Sequence, residues 1–329
     1  MNSLPRVSVI VVNYNGWILL ERCLHGLHTQ TYRDLEVVVV DNGSDDGSAE
    51  NVRRVFPNVK LIALDRNAGF CEGNNRGIAI ARGEYIALLN NDAVPDCHWL
   101  EELIKAGERH PECGFFASRV LRQDDAGTLD SAGDGITLAG TAYRRGHLRP
   151  ASQYAREEFV FGASGSAAFY RRAMLQEIGL FDEDLFMVYE DVDLSFRAQL
   201  AGYRCLYVPT AIVHHKGSGT IGRFTDFYVY QTQRNVEIIF LKDMPAVLFW
   251  LLLPFHLFYN LWGWIFFALV ARRSSAFLRA KRDALSSARK ILHKRRTVQI
   301  GRRVSVCYLV SFLELSWVSR IAEEKIKQI

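Results

Sequence analysis

The chain lacks the cysteine spacing of a metal-binding or disulfide-linked protein. There is no Cys-x-x-Cys pair among Cys23, Cys71, Cys97, Cys113, Cys205 and Cys307, so the sequence predicts neither a zinc site nor a disulfide framework. It also lacks a Walker-type Gly-Lys-Ser motif and a basic Gly-rich loop after the first apolar run, which argues against a nucleotidyltransferase. The first residues, MNSLPR, contain no apolar leader, and we expect the N-terminal half to remain in the cytoplasm.

Apolar runs and helical segments alternate through the first third of the chain. Three runs are continuous enough for buried parallel strands: Val7 to Val12, Leu35 to Val40 and Glu84 to Leu89. At 329 residues, with 49% hydrophobic and 23% charged residues, the chain has room for one α/β domain and an addition. We therefore predict a Rossmann-like, mostly parallel sheet flanked by helices.

Polar residues close these three runs, at Asn13, at Asp41 and at Asn90-Asn91-Asp92. Ligands bind where the parallel strands of an open sheet end, so the clusters predict one site at the carboxyl edge. Carboxylates and amides without a Walker motif indicate a nucleotide site that uses acidic groups and a metal ion.

The later N-terminal elements are predicted from helix-end signals. A helix starting near Gly73 is expected to stop at Gly83, because glycine suits a left-handed position after a helix. Residues 119–160 are rich in glycine and polar residues without a clear period. For them the sequence leaves open a long loop, a hairpin region or a lid.

Seven motifs then stand in a fixed order between about residues 5 and 220. They are VSVIVVNYN, VVVDNGSDDGS, RNAGFCEGNNRGI, LLNNDA, GASGSAAFYRR, FMVYEDVDLSFRAQLAGYR and HHKGSGT. This ordered set resembles family 2 glycosyltransferases of the GT-A fold, and it looks most like the bacterial rhamnosyltransferase branch. The resemblance implies a GT-A catalytic domain over residues 1–225, and the composition of the rest of the chain predicts a helical, membrane-associating region over residues 226–329.

The resemblance implies a sugar donor carrying a pyrimidine nucleotide. At the end of the second strand, Asp41 can accept the N3 proton of uracil or thymine. The alternative is an Asx turn, for which Asp-Asn-Gly-Ser is typical sequence. Further donor contacts are implied for Asn13, Asn67, Gly69, Asn75 and Asn91. At Gly69, close backbone approach to a ligand and a plain tight turn are both open.

The segment Asn90-Asn91-Asp92 stands where the family has a two-aspartate metal motif. A divalent cation, Mg²⁺ or Mn²⁺, would neutralise the charge that develops on the departing diphosphate. Only Asp92 is a carboxylate, so Asn90 would act by its amide oxygen or through water. The family's His-x-Gly spacing favours His215 over His214 as the second ligand. Helix capping by Asp92 and a purely structural histidine are the alternatives.

Three carboxylates, Glu190, Asp191 and Asp193, open an apolar helical pattern. Stabilisation by the helix dipole is one interpretation, above all for Asp193. The resemblance implies instead that Asp191 is the base that removes the proton of the acceptor hydroxyl, with Glu190 orienting the base or the acceptor. The small-residue segment at Gly165 and Ser166 would then flank the acceptor pocket, and close backbone packing is the alternative.

The last quarter of the chain is apolar and then basic. Residues 246–271 carry no formal charge and are numerous enough to span a bilayer. In residues 272–303 Asp283 is the only acidic residue, and the basic residues are Arg272, Arg273, Arg279, Lys281, Arg282, Arg289, Lys290, Lys294, Arg295, Arg296, Arg302 and Arg303. A single crossing would violate the positive-inside rule, so we expect a re-entrant or interfacial helix pair on anionic lipid at the cytoplasmic face. A buried dimer interface is the alternative.

These features predict an inverting glycosyltransferase that acts on a lipid-linked or cell-surface glycan, and the resemblance implies that the sugar is rhamnose and the donor dTDP-rhamnose. Polyprenyl-diphosphate saccharides are membrane-bound, which makes them the leading acceptor. The alternatives are a UDP-hexose transferase acting on another polysaccharide and a catalytically inactive sugar-nucleotide or glycan-binding membrane subunit. No nucleic-acid partner is expected, and the oligomeric state is left open.

Overall fold

Residues 5–217 and 225–314 are described by a computed structural model of the chain. The described residues fall into two units, the first comprising residues 5–134, 144–199 and 203–217, and the second residues 135–143, 200–202 and 225–314. The second unit thus takes in two short pieces that precede residue 225 in the chain. The predicted domain boundary at that residue stays a prediction, since residues 218–224 lie outside the described ranges.

The predicted parallel strands form the centre of the first unit. They are β1 (Val7–Asn13), β2 (Leu35–Asp41), β3 (Lys60–Ala63) and β4 (Tyr85–Leu89), and the helices between them are α1 (Trp17–His28), α2 (Ser48–Val55) and α3 (Gly69–Ile80). The strands pair in the order β4-β1-β2-β3, all parallel. The valine, isoleucine and leucine side chains of β4, and those of β1 except Val12, are buried because helices cover a parallel sheet on both faces.

Two predictions about α3 are wrong. The helix begins at Gly69 rather than near Gly73, because a GFCEGNNRGI segment has too low a helix propensity to reveal its first turn. Gly83 does not adopt a left-handed conformation. Glycine is needed there for close packing instead, since a Cβ atom on Gly83 would lie 2.5 Å from the backbone nitrogen of Ser8.

The sheet continues beyond β4 with antiparallel and parallel additions. The further elements are β5 (Ala93–Pro95), α4 (Trp99–Arg109), β6 (Cys113–Arg122), β7 (Leu129–Ser131), β8 (Asp134–Thr137), β9 (Ala142–Arg144), β10 (Glu158–Val160), β11 (Ala167–Arg171), α5 (Arg172–Ile178), α6 (Glu190–Leu200) and β12 (Arg204–His215). The strand order is β10-β12-β6-β11-β4-β1-β2-β3, with β5 on β12 and β7 on β6. Residues 119–160 therefore contain short strands, in agreement with the hairpin alternative.

Helices dominate the second unit. They are α7 (Asp226–Asp243), α8 (Ala246–Leu269), α9 (Ser274–Ser286), α10 (Ala288–Ile300) and α11 (Val306–Val310), followed by β13 (Leu313–Glu314) in a small sheet of order β13-β8-β9. Within the described ranges, α8 is the one helix whose length and composition would allow it to cross a bilayer, and most of it is exposed. The apolar run thus folds as one helix that contains Pro254.

Candidate functional site

Three residues that are predicted to bind the nucleotide-sugar donor share hydrogen bonds at the carboxyl edge of the sheet. The Asn13 Nδ2 donates to Asp41 Oδ1 at 3.1 Å, and Asn91 Nδ2 donates to Asn13 Oδ1 at 2.8 Å. The register of the parallel strands places Asn13 directly beside Asp41. Asn13 and Asp41 are buried, so the ends of β1, β2 and β4 form one ordered polar cluster.

The carboxylate of Asp41 is held by its own turn. Its Oδ2 accepts the backbone N–H of Ser44 at 3.0 Å, and its Oδ1 accepts the Ser44 hydroxyl at 2.7 Å. Both bonds join Asp41 to the residue three positions on, a local turn contact that is one residue longer than the Asx turn that the sequence allowed. The turn also fixes the direction of the carboxylate, and the role of Asp41 in reading a pyrimidine base stays a prediction.

A second polar turn lies at the start of α3. The Asn67 Oδ1 accepts the Gly69 N–H at 2.9 Å and the Asn42 Nδ2 at 3.2 Å. Gly69 has φ +82°, and a Cβ atom there would lie 2.6 Å from the Phe186 ring. Glycine is therefore required by both the tight turn and the close approach of a protein side chain. The contacts of Asn67 and Gly69 with the nucleotide-sugar donor stay predictions.

The side chain of Asn75 lies one turn and a half further along α3 and contacts another segment. Its Nδ2 donates to Phe181 O and to Glu183 Oε1, both at 3.0 Å, and its Oδ1 accepts the Phe181 N–H at 3.0 Å. Asn75 thus anchors the chain that leads into α6. The contact of Asn75 with the nucleotide-sugar donor stays a prediction.

Asp92 and His215 meet across two strands that are far apart in sequence. Pairing of β12 with β5 sets His215 beside Ala93, and Asp92 Oδ1 lies 3.1 Å from His215 Nε2. Neighbouring ligands around an ion with bonds of about 2.1 Å are separated by about 3 Å, so this pair fits one Mg²⁺ or Mn²⁺ ion. The Asn90 amide lies beside it, with Nδ2 3.5 Å from His215 Nε2. Carboxylate oxygen and imidazole nitrogen are suitable donors for such an ion.

The helix-capping interpretation of Asp92 does not hold. At the start of α4 it is Asp96 whose carboxylate accepts the His98 N–H, at 3.1 Å. Successive side chains of a strand point to opposite faces, so His214 faces away from the side on which His215 meets Asp92. The geometry thus favours His215 over its neighbour.

Sequence reasoning missed Asp130, which is buried on β7. Its Oδ2 lies 2.9 Å from His215 Nδ1 and its Oδ1 2.5 Å from Arg144 Nη1. Although burial opposes ionisation, hydrogen bonds from His147 and His215 hold the pKa of Asp130 far below its usual range. Burial likewise opposes the charge on His215, but hydrogen bonds to Asp130 and Asp92 raise the pKa of His215 to about 9. A three-residue strand is too short to give a sequence signal of alternation.

Asp191 occupies the first turn of α6 and is fixed by backbone N–H groups. Its Oδ2 accepts the Gly165 N–H at 2.8 Å, and its Oδ1 accepts the Val192 N–H at 2.8 Å. The residue after Gly165 is Ser166, whose carbonyl oxygen accepts the Asn90 N–H at 3.0 Å. The Gly165-Ser166 segment therefore links the predicted base to the predicted metal motif.

The chain enters α6 through a strained backbone. Phe186, Val188 and Tyr189 have φ values of +62°, +68° and +73°. Left-handed backbone costs non-glycine residues roughly 1–3 kcal/mol each, and such outliers concentrate at functional sites. Packing therefore forces this segment into the conformation that delivers Glu190 and Asp191 to their positions.

Three buried carboxyl groups near this turn retain their protons more tightly than usual. Burial, followed by the charge of Asp191, raises the pKa values of Glu190 and Asp134. Burial also raises the pKa of Asp191, against the opposing effect of the Gly165 and Val192 N–H groups. Perturbed carboxyl groups of this kind are typical of acid-base sites. By contrast, Asp193 forms a buried ion pair with Arg197 at 2.9 Å, so its role is structural.

Comparison with known sequences gives the family. The description Glycosyl transferase family 2 matches residues 8–179, more than half of the chain. The chain belongs to this family. It is 33% identical over 244 residues to the N-acetylglucosaminyl-diphospho-decaprenol L-rhamnosyltransferase of Mycobacterium tuberculosis, covering 65% of this chain and 77% of the relative. The predicted enzyme class, glycosyltransferase, is confirmed.

Solved structures confirm the predicted fold of this glycosyltransferase. Staphylococcus aureus TarS 1-349 superposes with a TM-score of 0.57 at 20% identity, over 89% of this chain and 90% of TarS. The mannosyltransferase PcManGT from Pyrobaculum calidifontis, solved with GDP-Man and Mn²⁺, gives 0.53 at 21% identity, over 94% and 86%. These are GT-A glycosyltransferases, as the ordered motifs implied.

Proposed function

We propose that this glycosyltransferase transfers rhamnose from dTDP-rhamnose to a polyprenyl-diphosphate-linked saccharide, with inversion at the anomeric carbon. Family membership supports a nucleotide-sugar donor in general. The choice of rhamnose and of a lipid-linked acceptor rests on one observation, the 33% identity with a mycobacterial rhamnosyltransferase named for decaprenol-linked N-acetylglucosamine. A UDP-hexose donor with another polysaccharide acceptor is the competing proposal.

Asp191 is the proposed base. An acceptor hydroxyl oxygen forms its bond to the anomeric carbon while the bond from that carbon to the diphosphate oxygen breaks, and the hydroxyl proton passes to Asp191. The Gly165 N–H holds Asp191 Oδ2 at 2.8 Å, so the carboxylate keeps one orientation while the acceptor binds. Burial raises its pKa, which increases its affinity for that proton.

Asp92 and His215 are the proposed ligands of a divalent cation, with Asn90 beside them. Such an ion supplies positive charge where the departing diphosphate becomes more negative. Asn13, Asp41 and Asn91 are proposed to bind the nucleotide, because their shared hydrogen bonds form the polar floor at the strand ends. In open α/β sheets this edge is where nucleotides bind.

We also propose that α8 attaches the enzyme to the cytoplasmic face of the membrane without crossing it. One face of the helix is committed to buried polar contacts, in which His256 Nε2 and Asn260 Nδ2 bind Glu237 at 3.1 and 2.9 Å. The other face exposes large apolar side chains, including Trp250 at 69% and Trp262 at 54%. A helix with a polar buried face and an apolar exposed face fits an interfacial position better than a span.

The donor proposal is tested with a panel of nucleotide sugars. The purified full chain is incubated with dTDP-rhamnose or UDP-hexoses and an N-acetylglucosaminyl-diphospho-polyprenol acceptor, and released nucleoside diphosphate is measured. We expect acceptor-dependent release of dTDP, slowed by about two to four orders of magnitude in the Asp191→Asn variant. Release of UDP alone would support the hexose alternative. Nucleotide release without a glycosylated product from any acceptor would contradict the transfer reaction.

A further inference from the structure

Buried carboxylates hold both ring nitrogens of His215. The Nδ1 lies 2.9 Å from Asp130 Oδ2, and the Nε2 lies 3.1 Å from Asp92 Oδ1. A neutral imidazole has one N–H and one lone pair, so only one of its nitrogens can bind a metal ion. The partner of the other nitrogen decides which one that is.

We propose that Asp130 is a positioning residue for the metal site, acting through His215. Its carboxylate accepts the Nδ1–H of His215, so that Nε2, which lies 3.1 Å from Asp92 Oδ1, is the nitrogen that would bind the ion in place of a proton. The same hydrogen bond fixes the rotation of the imidazole ring. This inference rests on the proposed metal-binding role of Asp92 and His215.

The sheet itself places Asp130 opposite His215. Strand β6 pairs with β7 on one side and with β12 on the other, so that Leu121 is the register partner of both Leu129 and His214. Strand β7 runs antiparallel to β6 and β12 runs parallel to it, and Asp130 lies at the register shift between the Leu129 and Ser131 pairs. Pairing of both strands with β6 brings Asp130 Oδ2 to 2.9 Å from His215 Nδ1, across 85 residues of sequence.

Asp130 is in turn held from its other side. Arg144 Nη1 lies 2.5 Å from Asp130 Oδ1, and His147 Nδ1 lies 3.0 Å from the Asp130 backbone oxygen. Arg144 also contacts the His147 ring, with Nη2 3.0 Å from Nε2. The carboxylate that orients His215 is thus fixed at both oxygens, which is what a group that sets the direction of another ligand requires.

The sequence around Asp130 offers a matched control. Asp124 lies on the same stretch of chain, is exposed and binds Arg122 through its carboxylate. A general electrostatic effect of losing one negative charge near β6 would appear in both Asp124→Asn and Asp130→Asn. An effect on the orientation of His215 would appear only in the second.

The test is a Mn²⁺ titration of the full chain with dTDP present, in which free Mn²⁺ is measured by electron paramagnetic resonance. We expect Asp130→Asn to weaken Mn²⁺ binding by about 10- to 100-fold, and Asp124→Asn to leave it unchanged. In a His215→Ala background, Asp130→Asn should have little further effect, because its action passes through the imidazole. If Asp130→Asn lowers the Mn²⁺ affinity equally in the unmodified chain and in the His215→Ala variant, the inference is overturned.

Two outcomes separate this inference from the proposed function. Unchanged Mn²⁺ affinity in His215→Ala would remove the metal site itself. Weakened affinity in His215→Ala with normal affinity in Asp130→Asn would overturn only the role of Asp130.

If Asp130→Asn does not fold, the ¹⁵N shifts of the His215 ring decide the question in the unmodified protein with Mg²⁺ and dTDP. A proton on Nδ1 supports the inference, and a proton on Nε2 contradicts it.

Discussion

Two neighbouring carboxyl groups in the first turn of α6 have different environments. Asp191 accepts N–H groups at both of its oxygens, from Gly165 and Val192. Glu190 is buried, and its Oε2 has no hydrogen-bond partner within the described structure. The first arrangement fixes a base in one orientation, whereas the second leaves a buried oxygen without a hydrogen-bond partner in the described structure. This difference supports Asp191 as the base, and Glu190 stays the predicted group that orients the base or the acceptor.

Replacing Asp191 with Asn should separate chemistry from binding. The variant keeps the shape of the side chain but cannot accept the acceptor proton, so we expect kcat to fall by about two to four orders of magnitude. Donor affinity, measured by calorimetric titration with dTDP, should stay unchanged. Near-normal transfer by Asp191→Asn together with an inactive Glu190→Gln would show that the two roles are exchanged.

The raised pKa values of Asp191 and Glu190 predict the acid side of the pH profile. Burial is the main cause of both shifts. A base works only when deprotonated, so kcat/KM should rise with pH through a midpoint above the usual carboxyl value of about 4. In Asp191→Asn the remaining slow reaction should lose this dependence. A midpoint at or below about 4 in the unmodified enzyme would contradict the assignment.

At the scale of elements, the start of α3 and the strained segment before α6 depend on each other. A Cβ atom on Gly69 would lie 2.7 Å from the Phe186 carbonyl oxygen as well as 2.6 Å from its ring. The Cys71 N–H also donates to that carbonyl at 3.0 Å. Because Phe186 precedes α6 by four residues, α3 helps to set the position of the acidic turn.

Gly69→Ala should therefore affect both stability and activity. Crowding against Phe186 and a φ of +82° predict a destabilisation of about 1–3 kcal/mol, seen as a lower thermal unfolding midpoint and weaker transfer. Gly301→Ala is the matched control, because Gly301 has φ −72° and its nearest atoms would be 3.5 Å away. Equal stability of the two variants would show that the close contact at Gly69 can relax.

At the scale of the whole molecule, the proposed membrane attachment combines apolar and basic groups of the second unit. Within that unit, Lys281 binds Glu237 at 2.6 Å, and His256 Nδ1 lies 2.8 Å from the Ala139 carbonyl oxygen. Although burial opposes ionisation, the hydrogen bond from His256 lowers the pKa of Glu237 to about 2. A buried ionised network along one face of α8 orients the exposed tryptophans outward.

Vesicle flotation should reveal both contributions. The full chain should float with anionic vesicles more than with neutral ones, because each basic residue near such a surface contributes about 1 kcal/mol. Replacing Trp250 and Trp262 with Ser should reduce flotation on both lipids without lowering the unfolding midpoint, since both side chains are exposed. A protein that floats with neither lipid and forms dimers in solution would support the buried-interface alternative.

Much of the catalytic half follows from local sequence pattern. Val7–Asn13 and Leu35–Asp41 form strands because each is a continuous run rich in β-branched residues, and each ends at a polar residue. The same polar residues mark the carboxyl edge, so the position of the site follows from the strand ends. The basic and apolar division of the last quarter is likewise visible in sequence, since charge and hydropathy are local properties.

Only the tertiary structure decided which distant side chains meet. His215 contacts Asp92 and Asp130 because β12 pairs with β5 and with β6. These pairings depend on the packing of the whole sheet rather than on any local propensity. The left-handed backbone at Val188 is also unfavourable locally and persists because surrounding contacts hold it. Sequence determined the strands and the chemistry at their ends, whereas long-range pairing determined the ligand set and its supporting carboxylate.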